Sequence, residues 1–131
     1  ASIVEREAQV DEERPLIASV FLNRLRQGMR LEADPTVQYA LAQDPLNVAR
    51  FGYWKTELTL EDLRIDSAYN TYRYPGLPPG PICNPGFASI RAVAEAPETP
   101  YLYFVLGRDG RHHRFAASWE EHLRNVREVG R

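Results

Sequence analysis

Between Ser67 and Gly86 the chain carries Pro75, Pro78, Pro79, Pro81 and Pro85 together with Gly76, Gly80 and Gly86. Prolines fix φ and remove backbone donors, so neither a long helix nor an inner strand can cross this stretch. Fixed residues beside permissive glycines make a stiff, convoluted loop, which suits the holding of ligand-binding groups. Regular elements must lie before and after it.

Before it, Ala1, Val4, Glu5 and Ala8 fall within about one third of a helical circumference. Glu5 then sits beside small apolar residues, while Arg6 and Glu7 point elsewhere. Partial loss of water disfavours a charged carboxylate and lifts its pKa toward the range of a general acid. The plainer alternative is a salt-bridged surface glutamate. A second helix is predicted from Asp11 as N-cap, through Pro15 in the first turn, to about Gln27 with its stop at Gly28. Leu16, Ile17, Val20, Phe21 and Leu25 recur at three and four residues and form its buried face. Asp34-Pro35 reads as cap and first turn of a short helix to about Ala42. Gln43 to Thr56 has no period and reads as a loop. Thr59 with Asp62 caps a short helix over Leu60 to Arg64.

After the proline-rich stretch, Asn84-Pro85 opens a helix through about Ala96 that Pro97 ends. Tyr101 to Leu106 and Arg111 to Ala116 are strands joined at Asp109-Gly110. Ser118 with Glu121 caps a final helix ending near Gly130. The predicted fold class is α+β in two layers, helices packed with a small antiparallel sheet that contains this C-terminal hairpin.

At 131 residues the chain is one domain, and sixteen basic against eighteen acidic residues argue against nucleic acid as partner. The lone Cys83 cannot form an intramolecular disulfide and reads as a small buried filler. His112 and His113 are strand neighbours pointing to opposite faces, and His122 joins no ligand cluster, so no metal or other cofactor is expected. The longest apolar run, Leu16 to Leu22, is far short of the roughly 18 residues of a membrane span. An opening without methionine or leader suggests a core cut from something longer.

Ala1-Ser2-Ile3-Val4-Glu5, Val20-Phe21-Leu22-Asn23-Arg24-Leu25, Leu31-Glu32-Ala33-Asp34-Pro35-Thr36-Val37, Tyr69-Asn70-Thr71-Tyr72 and Gly76-Leu77-Pro78-Pro79-Gly80-Pro81-Ile82 occur in that order. With Thr99 to Phe104, His113-Arg114-Phe115 and Glu121-His122, they resemble the catalytic domain of the endolytic murein transglycosylase family, the YceG-like proteins. The resemblance spans nearly the whole chain. It implies a lytic transglycosylase that cleaves the β-1,4 bond between N-acetylmuramic acid and N-acetylglucosamine in peptidoglycan strands. One glutamate serves as acid and then as base, the sugar's own 6-hydroxyl is the nucleophile, and 1,6-anhydro ends result. It further implies an N-terminal membrane anchor outside this segment, a place on the extracytoplasmic face of the cytoplasmic membrane, and cell-wall synthesis enzymes as neighbours.

On that resemblance Glu5 matches the catalytic glutamate. An internal hydroxyl has a high effective molarity, which makes a second protein carboxylate unnecessary. Asn70 and Tyr72 would bind substrate or, alternatively, anchor the loop, and Pro79 and Gly80 are candidates on the loop itself. Tyr39, Tyr53 and Trp54 would stack on sugar rings or simply pack. His113 and His122 are open to a structural or a substrate-side hydrogen bond. Two other readings remain: a module that binds glycan without cutting it, and a lysozyme-like hydrolase whose second carboxylate is Glu7, Glu12 or Asp34.

Overall fold

A computed structural model of the chain describes residues 1–130. The fold is α+β, with six α-helices and a two-stranded antiparallel hairpin. Ser2–Glu7 form α1, Arg14–Arg26 α2, Asp34–Leu41 α3, Pro45–Phe51 α4, Phe87–Ala94 α5 and Trp119–Val129 α6. Tyr103–Leu106 and His113–Ala116 form β1 and β2.

The periodic face of α2 is the centre of the core. Ile17, Val20 and Phe21 are buried, and each such side chain contributes about 1.5 to 3 kcal/mol. Leu25 packs at the cluster's edge. Asp11 does not cap this helix as predicted. It begins a short 3₁₀ turn and pairs with Arg14 at 2.9 Å, leaving Glu13 as the residue before the first helical turn. Gly28 ends the helix at φ +70°, where a side chain would be strained.

The other helix of the N-terminal segment, α1, is buried on more than one side, with Arg6 left exposed. Ser2, Ile3, Val4 and Ala8 are all buried, so it has no single apolar stripe. The proline-rich loop closes over it, with the Ile82 N–H donating to Ser2 Oγ at 3.1 Å and the Cys83 thiol to the Ser2 carbonyl at 3.3 Å. Cys83 is half-buried there rather than a buried filler.

Polar side chains of α2 fix the approach to the hairpin. Asn23 donates to the Thr99 and Tyr101 carbonyls, and the buried Arg24 donates to that of Leu102 at 2.6 Å. In the hairpin Tyr103 faces Ala116, Phe104 faces Phe115, Val105 faces Arg114 and Leu106 faces His113. Asp109 Oδ1 accepts from the Arg111 and His112 N–H groups and shapes the turn, with Gly110 at φ +71°. Phe104, on one face, meets Phe21 of α2 edge-on at 5.7 Å, whereas Tyr103, on the other, meets Trp119 and His122 of α6. Ser118 caps α6 as predicted, accepting from Glu121 N–H, and Gly130 ends it in the left-handed region.

Both strands begin two residues later than predicted, and three further elements differ. Gln43 to Thr56 is not all loop, because Asp44 accepts from Leu46 N–H and starts α4 with Pro45 in its first turn. The helix predicted from Asn84-Pro85 begins later, after Gly86, and ends at Ala94. The Thr59–Asp62 box forms in both directions, at 3.0 and 2.9 Å, but closes only a 3₁₀ turn over Asp62–Arg64.

Candidate active site

Glu7, the last residue of α1, opens into a cavity of about 570 Å³ that Asp34, Tyr72, Tyr103, His113 and His122 also line. That volume lies in the range of ligand sites, roughly 300 to 1,000 Å³. Stripping of water by the surrounding walls, with the like charge of Asp34 added, pushes the Glu7 carboxyl up to about 8. The Tyr72 hydroxyl donates to Asp34 Oδ1 at 2.6 Å, and burial followed by this bond holds the phenol far above its usual value.

The position of that pair is set by a buried hydroxyl network. Thr71 Oγ1 accepts from Ala33 N–H at 2.9 Å and lies 2.8 Å from Thr36 Oγ1, while the Thr71 carbonyl accepts from Glu32 N–H. Glu32 itself is held at φ +48°, a left-handed conformation costly for a glutamate, on the rim of the cavity. Asp34 is therefore not the N-cap that Asp-Pro suggested. Ala33 takes that place, no side chain caps α3, and the carboxylate of Asp34 is turned to the cavity and Tyr72.

Glu5 has different surroundings from those its sequence predicted. Its Oε1 accepts from Gly86 N–H at 2.7 Å and Ser89 Oγ at 3.0 Å, and its Oε2 lies 3.7 Å from Arg14. The Gly86 bond is the largest influence. It outweighs burial and, helped by Ser89 and Arg14, holds the carboxyl below its usual value. The predicted rise does not occur, because the site offers this carboxylate donors. Nor does Glu5 line the cavity that contains Glu7.

Of Asn70, Tyr72, Tyr39, Pro79 and Gly80, only Tyr72 reaches that cavity, which His113 and His122 also line. Asn70 is fully buried and spends its amide on the Leu63 and Ile65 carbonyls and its oxygen on Tyr72 N–H, so it anchors the loop. Tyr39 packs its ring on Tyr69 at 4.8 Å against the core cluster. Pro79 is exposed and Gly80 lies against the Tyr69 hydroxyl, neither of them on the cavity wall. Tyr53 and Trp54 also lie outside it, although Arg6, which does line it, rests 4.0 Å over the Trp54 ring.

A second wall comes from the hairpin and α6. His113 is nearly enclosed, and its Nδ1 lies 2.9 Å from the buried Glu13. His112, which lies just before β2 rather than in it, pairs separately with Asp109 and Glu12, so the two adjacent imidazoles have different partners. His122 stacks on Tyr103 at 5.2 Å, and its buried Nδ1 has no hydrogen-bond partner. Among the described residues no cluster of three or more His, Cys, Asp or Glu has the arrangement of a metal site.

Sequence reasoning named Glu7 only as a possible second carboxylate of a hydrolase, and gave Asp34 that possibility beside a cheaper role as a cap. One signal was present: Glu7 lies four residues beyond Ile3 and so shares its side of α1, and Ile3 is buried.

The family model for YceG-like proteins matches residues 1–128. The endolytic murein transglycosylase of Bacillus subtilis is 44% identical over 110 residues, covering 84% of this chain and 28% of that protein. The endolytic murein transglycosylase of Streptococcus pneumoniae strain D39 is 36% identical over 128 residues, covering 98% of this chain and 22% of that protein. The chain thus spans about a quarter of the length of these relatives. A crystal structure of a YceG-like protein from Listeria monocytogenes superposes with a TM-score of 0.79 at 43% identity, over 94% of this chain and 36% of that one.

Proposed function

We propose, because this chain belongs to the YceG-like family, that it is the catalytic part of a peptidoglycan lytic transglycosylase, with Glu7 rather than Glu5 as its acid and base. The single observation that carries the choice is the Glu7 carboxyl, raised to about 8 at the wall of a glycan-sized cavity. An acid must still hold its proton near neutral pH if it is to protonate a leaving oxygen. Glu5, tied to three donor groups, is a poor proton source.

In this reading Glu7 gives its proton to the β-1,4 glycosidic oxygen as the bond from C1 of N-acetylmuramic acid breaks and oxocarbenium character develops. The N-acetylglucosamine leaves as an alcohol. The Glu7 carboxylate then takes the proton of the muramyl 6-hydroxyl as that oxygen bonds to C1, closing the 1,6-anhydro ring and restoring the acid. Protons balance and no water is consumed. Asp34 disfavours the charged form of Glu7 until the leaving group needs the proton, and Tyr72 holds Asp34 in place while offering its ring to the sugar. Glu5 becomes the anchor that ties α1 to the start of α5.

Peptidoglycan strands are the proposed substrate, by analogy with what the named relatives act on. A position at the outer face of the cytoplasmic membrane beside cell-wall synthesis enzymes belongs to the same proposal. Among the described residues no helix is long and apolar enough to cross a membrane. One observation favours a second reading: Asp34 shares the cavity with Glu7, and two carboxylates are what a hydrolase uses.

Digestion of purified glycan strands followed by mass spectrometry decides between them. Ends lighter by one water are expected, whereas reducing ends would make the enzyme a hydrolase and intact strands would leave only binding. Glu7→Gln is expected to lower turnover at least a hundredfold, and Glu5→Gln to leave measurable cleavage. The reverse ranking returns the catalytic role to Glu5.

A further inference from the structure

The buried pair Glu13 and His113 is not used in the chemistry above, yet His113 lines the same cavity. Glu13 is 7% exposed, and all the hydrogen bonds of its side chain go to one residue. Its two oxygens accept from the His113 main-chain N–H at 3.0 and 2.9 Å, and Oε1 lies 2.9 Å from His113 Nδ1. An ionised carboxylate only accepts, so the proton at Nδ1 is fixed and the lone pair of the neutral ring falls on Nε2. The ring plane is fixed as well, edge-on to Phe104 at 5.2 Å. His113 lines the cavity, and its Nε2 has no partner among the described residues.

A purely structural tie would not need this arrangement. The main-chain N–H alone joins Glu13 to β2, and enclosing an imidazole beside a carboxylate costs solvation for both. The same wall carries a second ring nitrogen without a partner, His122 Nδ1. Buried polar atoms are normally satisfied, and hydroxyl-rich cargo in the cavity would satisfy His122 Nδ1 and meet His113 on the same wall. We infer that His113 is a substrate-binding residue whose Nε2 accepts a hydrogen bond from a hydroxyl or amide N–H of the glycan, with Glu13 as the positioning residue that sets its tautomer.

This inference rests on the glycan reading of the cavity, and its test separates the two. The Asn side chain can place an N–H near the Nδ1 position and keep the bond to Glu13, but it has nothing at the Nε2 position. His113→Asn is made in the Glu7→Gln background, so that an alternating tetrasaccharide of N-acetylglucosamine and N-acetylmuramic acid is bound without being cut. Affinity is expected to fall about tenfold with little change in thermal midpoint, as for the loss of one hydrogen bond in a dry site. Nitrogen-15 spectra of the Glu7→Gln protein should show the Nδ1–H tautomer of His113 and an Nε2 resonance that moves when the tetrasaccharide is added. Equal affinity of the two proteins, or an Nε2 signal indifferent to the sugar, overturns the role of His113 and leaves Glu7 untouched. Cleavage by the Glu7→Gln protein overturns the acid assignment and leaves the binding result for His113 standing.

Discussion

Glu5 and Glu7 differ by two positions on one short helix, and their carboxyls move in opposite directions because one meets donors and the other meets desolvation and a like charge. This gives the proposed mechanism a pH signature. Activity should fall as pH rises past about 8, where Glu7 loses its proton before substrate arrives. Asp34→Asn removes the like charge, so the alkaline limb should move to lower pH in initial-rate profiles. A limb that stays put would mean that Asp34 does not act on Glu7. Stability carries the same signature. A carboxyl whose pKa is higher folded than unfolded favours the fold below its ordinary value near 4.5 and progressively less as pH rises to about 8. Glu7→Gln lacks that loss, so across pH 4.5 to 8 the variant should become progressively more stable than wild type, by up to about 5 kcal/mol, read by denaturant titration at several pH values.

At the scale of elements, the cavity depends on how α3 is joined to the segment after the 3₁₀ turn. Thr71→Val keeps the shape but removes the acceptor for Ala33 N–H and the contact to Thr36 Oγ1. A cost of about 1 to 3 kcal/mol is expected from the orphaned donor, together with weaker glycan binding as Tyr72 drifts from Asp34. Urea titration and a binding isotherm check the two halves. The elements most legible in the sequence were those specified locally, namely the periodic face of α2, the Asp109-Gly110 hairpin and the Ser118 cap. The start of α4 was as legible, since Asp44-Pro45 repeats the Asp-Pro signal, but a missing apolar period hid it. The site was less legible because its geometry is tertiary. α1 is buried on more than one side, so an apolar stripe could not say which glutamate faces the cavity, and Asp34 satisfied a capping rule that Tyr72 overrode from 38 residues away.

Taken whole, the molecule joins segments far apart in sequence. Glu12 and Glu13 meet His112 and His113 across 100 residues, and the loop around Ile82 to Ser89 closes on α1. A six-residue helix has negligible stability alone, so α1 exists only when the rest has folded. Thermal unfolding followed by tryptophan fluorescence at Trp54 and Trp119 should therefore coincide with loss of glycan binding in one transition. A separate, earlier loss of binding would show that the site melts by itself. The division of the cavity between the two ends of the chain also bears on timing. A polypeptide still emerging from synthesis or export holds Glu7 but not the imidazole side, and Glu13 waits for His113. The cavity is complete only once the hairpin and α6 have been made, so under the proposed reading a half-made copy has no assembled glycan site.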